Sequence, residues 1–152
     1  MWETPPIIKV YEALGAVADN RLAIDGNAAK CFSSSGNKFY DVIYDPEQNA
    51  IMTNDNGSYW KGYLGYPAIA YLLQKEVIPY QEELASALRG IKWKDVNQEF
   101  KNDFDKTLIF ILTSLDEQTR ANLENYAQSI LAQITELKLS KLGKKMKPPS
   151  GY

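Results

Sequence analysis

Residues 22–53 read LAIDGNAAKCFSSSGNKFYDVIYDPEQNAIMT, and this stretch decides the fold. Four short runs, Leu22 to Ile24, Ala28 to Ser33, Phe39 to Tyr44 and Ala50 to Thr53, are separated by turn signals. Those signals are Asp25-Gly26, Ser35-Gly36-Asn37 and Asp45-Pro46. Gly and Asn accept positive φ and Pro presets φ, so each can reverse the chain. In the third run Tyr40, Val42 and Tyr44 alternate with Asp41 and Ile43, a partial period of two. The pattern predicts a small antiparallel meander of three or four strands.

Working outward, both flanks read as helix. Upstream, Thr4 is placed as an N-cap with Pro5 at the first helical position, where its missing N–H costs nothing. Ile7, Val10, Tyr11, Leu14 and Val17 follow at helical spacing, and the helix should stop near Asp19-Asn20. Downstream, Asn54-Asp55-Asn56-Gly57 reads as a polar turn, followed by a glycine- and aromatic-rich passage from Gly57 to Gly65. Pro67 opens a helix carrying Ile69, Leu72, Leu73 and Val77, which Pro79 ends. Gln81 to Arg89 is a short helix closed by Gly90. Asp95 to Leu112 is predicted as one helix, with Val96, Phe100, Phe104, Leu108 and Ile111 at steps of three or four. Ser114 with Glu117 forms a capping box before the longest helix, Asp116 to Leu142. The tail Lys147 to Tyr152 cannot continue that helix.

The expected architecture is therefore α+β: an N-terminal helix, a small antiparallel meander, then a helical half of about four helices. Residues 1–64 hold the helix and meander, 65–142 the helical half packed with it as one unit, and 143–152 a basic, proline-containing tail.

Composition excludes several chemistries. The 152 residues include no histidine and one cysteine. No Ser-His-Asp or Cys-His pair can form, nor a zinc shell of His and Cys. Cys31 has no intramolecular disulfide partner, the start of the chain lacks a basic, apolar leader, and no run is long enough to span a bilayer. A cytoplasmic location is expected, with no membrane contact, no cofactor and no enzymatic motif. The 17 basic and 19 acidic side chains are unevenly placed: Lys138, Lys141, Lys144, Lys145 and Lys147 lie at one end, where no acidic residue follows Lys138. That segment either meets phosphates or an acidic partner, or is a solvated helix end suited to the dipole.

Three motifs have competing readings. With Gly57 at position 6 of a calcium loop, Met52 and Tyr63 occupy positions 1 and 12, where carboxylates are required, so calcium is not expected. Tyr59, Trp60, Tyr63 and Tyr66 offer stacking faces for bases and Lys61 a phosphate contact. The commoner use of such aromatics is to lid a core. Lys92-Trp93-Lys94 places an indole between two cations, either as a contact point or as the anchor of an inter-helix turn.

From Tyr40 to Leu73 the layout resembles the SWIM module, a hairpin followed by a helix. That family carries a Cys-x-Cys pair after the hairpin and Cys-x-His at the helix start. Met52-Thr53-Asn54 and Gly65-Tyr66-Pro67 fall at those places, and Ala68 to Leu73 matches the apolar helix that follows. All four ligand positions hold non-ligands, so the resemblance implies a metal-free relative that binds nucleic acid or protein.

The expected function is a non-catalytic accessory subunit of a nucleic-acid-handling complex. The helical half would contact protein, and the aromatic passage, Lys92 to Lys94 and the tail lysines would contact nucleic acid or an acidic partner. The alternative is a scaffold that self-associates through the apolar face of the longest helix, Leu123, Tyr126, Ile130, Ile134 and Leu137. On the first expectation, truncation after Leu137 abolishes nucleic-acid binding; on the second it leaves it untouched.

Overall fold

The strands fall where the turn signals place them: β1 (Leu22–Asp25), β2 (Ala28–Phe32), β3 (Phe39–Asp45) and β4 (Ala50–Thr53), each antiparallel to the next. The computed structural model describes residues 1–150, so Gly151 and Tyr152 of the predicted tail lie outside the described residues. Register aligns the buried residues on one face, with Ala29 opposite Val42 and Cys31 opposite Tyr40. The sheet then gains a fifth strand that the sequence pattern does not announce. β5 (Ser140–Lys141) pairs parallel to β4, giving the order β1-β2-β3-β4-β5.

That strand corrects the predicted end of the longest helix. α7 runs Glu117–Leu137 and stops because Lys138 takes a left-handed conformation at φ 50°. The Asn49 amide, at the β3–β4 turn, donates to the carbonyls of Leu137 (2.8 Å) and Lys138 (3.3 Å). Carbonyls left unpaired at a helix end need such donors. The turn also lets Leu139 sink to 3% exposure, which the predicted straight continuation would not provide.

Other boundaries shift for local reasons. α1 (Ile8–Ala18) starts after both prolines, and Thr4 is no cap. Ahead of it, Glu3 donates its N–H to the Gly62 carbonyl (3.1 Å), and its own carbonyl accepts from the Leu64 N–H (3.1 Å). The predicted polar turn at Asp55 to Gly57 is the start of α2 (Asn56–Lys61), with Asp55 as its N-cap. α3 (Tyr66–Gln74) opens with Pro67 in its first turn as expected. α4 (Glu82–Ala85) continues as a 3₁₀ turn, Ser86–Leu88.

The predicted helix from Asp95 to Leu112 is two: α5 (Trp93–Glu99) and α6 (Phe104–Thr113). Lys101 and Asn102 between them have φ of 54° and 61°, and Asp103 caps α6 by accepting from the Lys106 N–H at 3.3 Å. Similarly Asp116, not Ser114, caps α7, accepting at 2.8 Å from both the Thr119 N–H and its hydroxyl.

One hydrophobic cluster joins sheet and helices, drawing Cys31, Val42 and Ile51 together with α1, α3 and α7. α3 touches β3, β4 and α1, while α1 also touches α4, α6 and α7. Small side chains in α1 (Ala13, Gly15, Ala16) permit that crowding. Leu123 and Ile130 of α7 are both at 0% exposure, so the apolar face of this helix is consumed within the chain. Among the described residues no helix is long and apolar enough to cross a membrane.

Candidate binding cleft

Beside α1 lies a cleft of about 810 Å³ walled by α1, the start of the β2–β3 loop, α2 and α5. It gathers most of the two motifs singled out in the sequence: Trp60, Lys61, Tyr63, Tyr66, Trp93 and Lys94 all line it. The chain separates these motifs by some thirty residues, so only folding brings them together.

The α2 wall is fixed by a buried polar knot. Asp55, at 5% exposure, accepts from the hydroxyls of Thr53 (2.9 Å) and Ser58 (2.7 Å) and from the Ser58 N–H (3.2 Å). The Ser58 hydroxyl in turn accepts from the Gly65 N–H at 3.0 Å, tying α2 to the start of α3. Gly65 must be glycine here, because a Cβ would fall on the Asp55 carboxylate. The knot presents Trp60 at the cleft, still 69% exposed.

The inner wall carries charges that the sequence reading passed over. Lys9 and Glu12, one turn apart on α1, pair at 2.9 Å with side-chain exposures of 14% and 7%. Burial opposes the Lys9 charge, but the pull of Glu12, with Tyr63 and Asp55 adding to it, leaves its pKa above the ordinary lysine value. Asn97 donates to Glu12 Oε1 at 3.3 Å while its own carbonyl oxygen has no hydrogen-bond partner. Arg21 donates through Nη1 to the Phe32 carbonyl at 2.8 Å, and its buried Nη2 has no partner. The signal for two of these residues was present: Lys9 and Glu12 interrupt an otherwise apolar helix, and a charge at a buried helical position demands a local reason.

Trp93 does not face solvent. At 2% exposure it lies against α1, where a Cβ on Gly15 would stand 2.6 Å from its indole nitrogen. It anchors α5, and its neighbours serve the cleft: the Lys92 ammonium donates to the Ser34 carbonyl (3.1 Å) and the Lys94 N–H to the Ser34 hydroxyl (3.3 Å).

The remaining predicted contact residues lie elsewhere. Tyr59 is covered by Lys145, whose ammonium is 4.4 Å from the ring centroid, and Lys141 lies 5.0 Å over Trp2. Lys138 borders a small depression with Trp2 and Thr135, and the Lys147 carbonyl accepts from the Asn54 amide at 3.2 Å. Lys144 is exposed, outside the cleft. Residues 143–147 are thus laid along the fold rather than projecting from it.

Burial drives one thiol and two phenols near the cleft away from ionisation: Cys31 is pushed up to about 12, Tyr66 well above the usual phenol value, and Tyr63 upward too. At neutral pH they hold their protons and offer hydrogen-bond groups rather than nucleophiles. Among the described residues no group of three or more Cys, Asp or Glu is placed to hold a metal ion.

Residues 2–140 match the model of a family described as "Uncharacterised conserved protein UCP014422". No curated protein and no solved structure matches the chain.

Proposed function

The chain belongs to that conserved family, UCP014422, and from this premise we propose a non-catalytic interaction subunit whose cleft binds single-stranded nucleic acid. The observation that carries the reading is the charge of the cleft. Its lining holds four cations (Lys9, Arg21, Lys61, Lys94) and two carboxylates (Glu12, Asp55), in a chain whose overall charge is -2. An electropositive recess in an acidic molecule selects anions by focusing its field where the walls exclude water. Trp60 adds an aromatic face at the same site, and Asn56, Gln98 and Asn102 add polar edges. The SWIM-like layout of residues 40–73 implies a binder of nucleic acid or protein.

The protein contact of such a subunit falls on α6, where Ile109 (64%) and Phe110 (54%) stand exposed and Phe110 packs at 5.6 Å on Phe100.

The test is a fluorescence-anisotropy titration with labelled single-stranded and duplex oligonucleotides at low and moderate salt. Single strands should bind, and Trp60→Ala should weaken them by about tenfold, the scale of one lost base–aromatic stack. Because Trp60 is exposed, its thermal midpoint should not move. No binding at low salt, where electrostatic attraction is greatest, would sink the reading.

A further inference from the structure

We propose that the corner where β2 enters the β2–β3 loop is a seat for a phosphomonoester, held by Arg21, Ser34 and Lys94. This deepens the strand-binding reading and rests on it: the strand would be recognised at a phosphorylated end.

Arg21 is the first support. Its Nη1 is used by the Phe32 carbonyl (2.8 Å), which fixes the guanidinium plane. Its Nε and Nη2 are buried without hydrogen-bond partners; the Asp19 carboxylate stands 3.8 Å from Nε, beyond hydrogen-bond range. Those two N–H groups form one edge of the guanidinium, the edge that matches two oxygens of a phosphate or carboxylate. A buried donor pair left unmatched costs stability unless a ligand supplies the acceptors.

Ser34 is the second. It is gripped from α5 through its carbonyl by Lys92 and through its hydroxyl by the Lys94 N–H, at 3.1 and 3.3 Å. Because that hydroxyl accepts from Lys94, its own hydrogen is available for an anion. Arg21, Ser33, Ser34 and Lys94 all line the cleft, and Arg21 is bonded to the residue directly before Ser33.

Charge count distinguishes an end from an interior phosphate. The Arg21 guanidinium and the Lys92 ammonium stand at this corner, and Asp19 pairs with Arg21 at 3.8 Å. A phosphomonoester, with about two negative charges near neutral pH, gains more from two such cations than the single charge of a backbone diester does. Deeper in the cleft, Asn97, at 6% exposure with an unpartnered carbonyl oxygen, offers an acceptor to a hydroxyl or amino group on the same ligand.

The experiment uses the full chain and single strands of one sequence ending in a 5′-phosphate, a 3′-phosphate or hydroxyls only. A nucleoside 5′-monophosphate and inorganic phosphate serve as competitors. At least one phosphorylated end should bind about tenfold or more tighter than the hydroxyl strand, the scale of a charge-assisted hydrogen bond. Ser34→Ala should remove that preference while leaving hydroxyl-strand affinity nearly unchanged, and Lys94→Gln should weaken every strand but the phosphorylated one most. These variants are preferred to Arg21→Gln, which also releases the Phe32 carbonyl and can fail to fold. Competition by the free monophosphate at concentrations matching the strand assigns the seat to a nucleotide; competition by strands alone assigns it to a strand end. Equal affinity for all three ends overturns the seat and leaves the strand reading standing. Binding of the free monophosphate, with no strand bound, upholds the seat and removes the strand reading.

Discussion

Gly15 and Trp93 meet where α5 is pressed on α1, and the consequence is testable at a single methyl group. Gly15→Ala gains about 1 kcal/mol of helix propensity but drives a Cβ to 2.6 Å from a buried indole nitrogen. Overpacking of that kind costs about 1–3 kcal/mol, so the expected net effect is a loss of roughly 1 kcal/mol, read from the urea midpoint. An unchanged or higher midpoint would show that the indole can move aside. Cys31 gives a second prediction. Its folded pKa, near 12, lies above the ordinary thiol value of 9.0 because burial disfavours the thiolate. The folded state therefore holds a proton that the unfolded state releases: the stabilisation is whole below pH 9 and is lost as pH rises toward 12. Over that window stability should fall by about 1.4 kcal/mol per pH unit from this group, and Cys31→Ala should flatten that part of the profile. At this scale the sequence was legible where a residue's type carries its own geometry, as Pro67 does. It was silent on Asn97, whose partner Glu12 lies 85 positions away, and on Arg21, whose acceptor Phe32 is brought to it by the β1–β2 pairing. Lys9 and Glu12, charged within an otherwise apolar helix, betrayed themselves locally.

The elements of the meander were legible because each reversal is encoded next to the strand it ends. The helical half was less so, because hydrophobic period records which face is buried and not whether the backbone is continuous. Val96, Phe100, Phe104, Leu108 and Ile111 keep helical spacing across a break made by two left-handed residues, Lys101 and Asn102. Lysine gains nothing from that conformation, so Lys101→Gly should stabilise the protein by about 0.5–1 kcal/mol in chemical denaturation. A loss would mean that the lysine side chain makes a contact worth more than the strain. On α6, Ile109→Ser should leave stability within about 0.5 kcal/mol, since the side chain is 64% exposed. A larger drop in the thermal midpoint would show that α6 is covered in the isolated protein. The N-cap of α2 was readable in principle from Asp55 with Ser58 three residues on. The glycine between them weighed toward a turn instead.

For the molecule as a whole, β5 changes how the basic tail can be questioned. Truncation after Leu137 removes Leu139 from the core and uncovers the β4 edge, so a loss of binding would report unfolding and say nothing about lysines. Replacing Lys144, Lys145 and Lys147 with Gln keeps the strand and isolates the charge. If the cleft, rather than the tail, carries nucleic-acid binding through Arg21, Lys61 and Lys94, the slope of log K against log salt should be about -2. It should survive the triple replacement; a slope that falls toward zero in that variant would move the contact to the tail. The parallel pairing of β4 with β5 has a further bearing on biosynthesis. Ala50 leaves the ribosome long before Ser140, its partner, has been added to the chain. Translation at about 5–20 residues per second makes that interval several seconds, during which β4 presents an open edge to whatever strand it meets. The nascent chain can complete its meander early, but the sheet closes only after the longest helix has been synthesised and has turned back at Lys138. A nascent-chain series should therefore gain protease resistance in two steps, the second arriving only when residues 138–142 are clear of the exit tunnel.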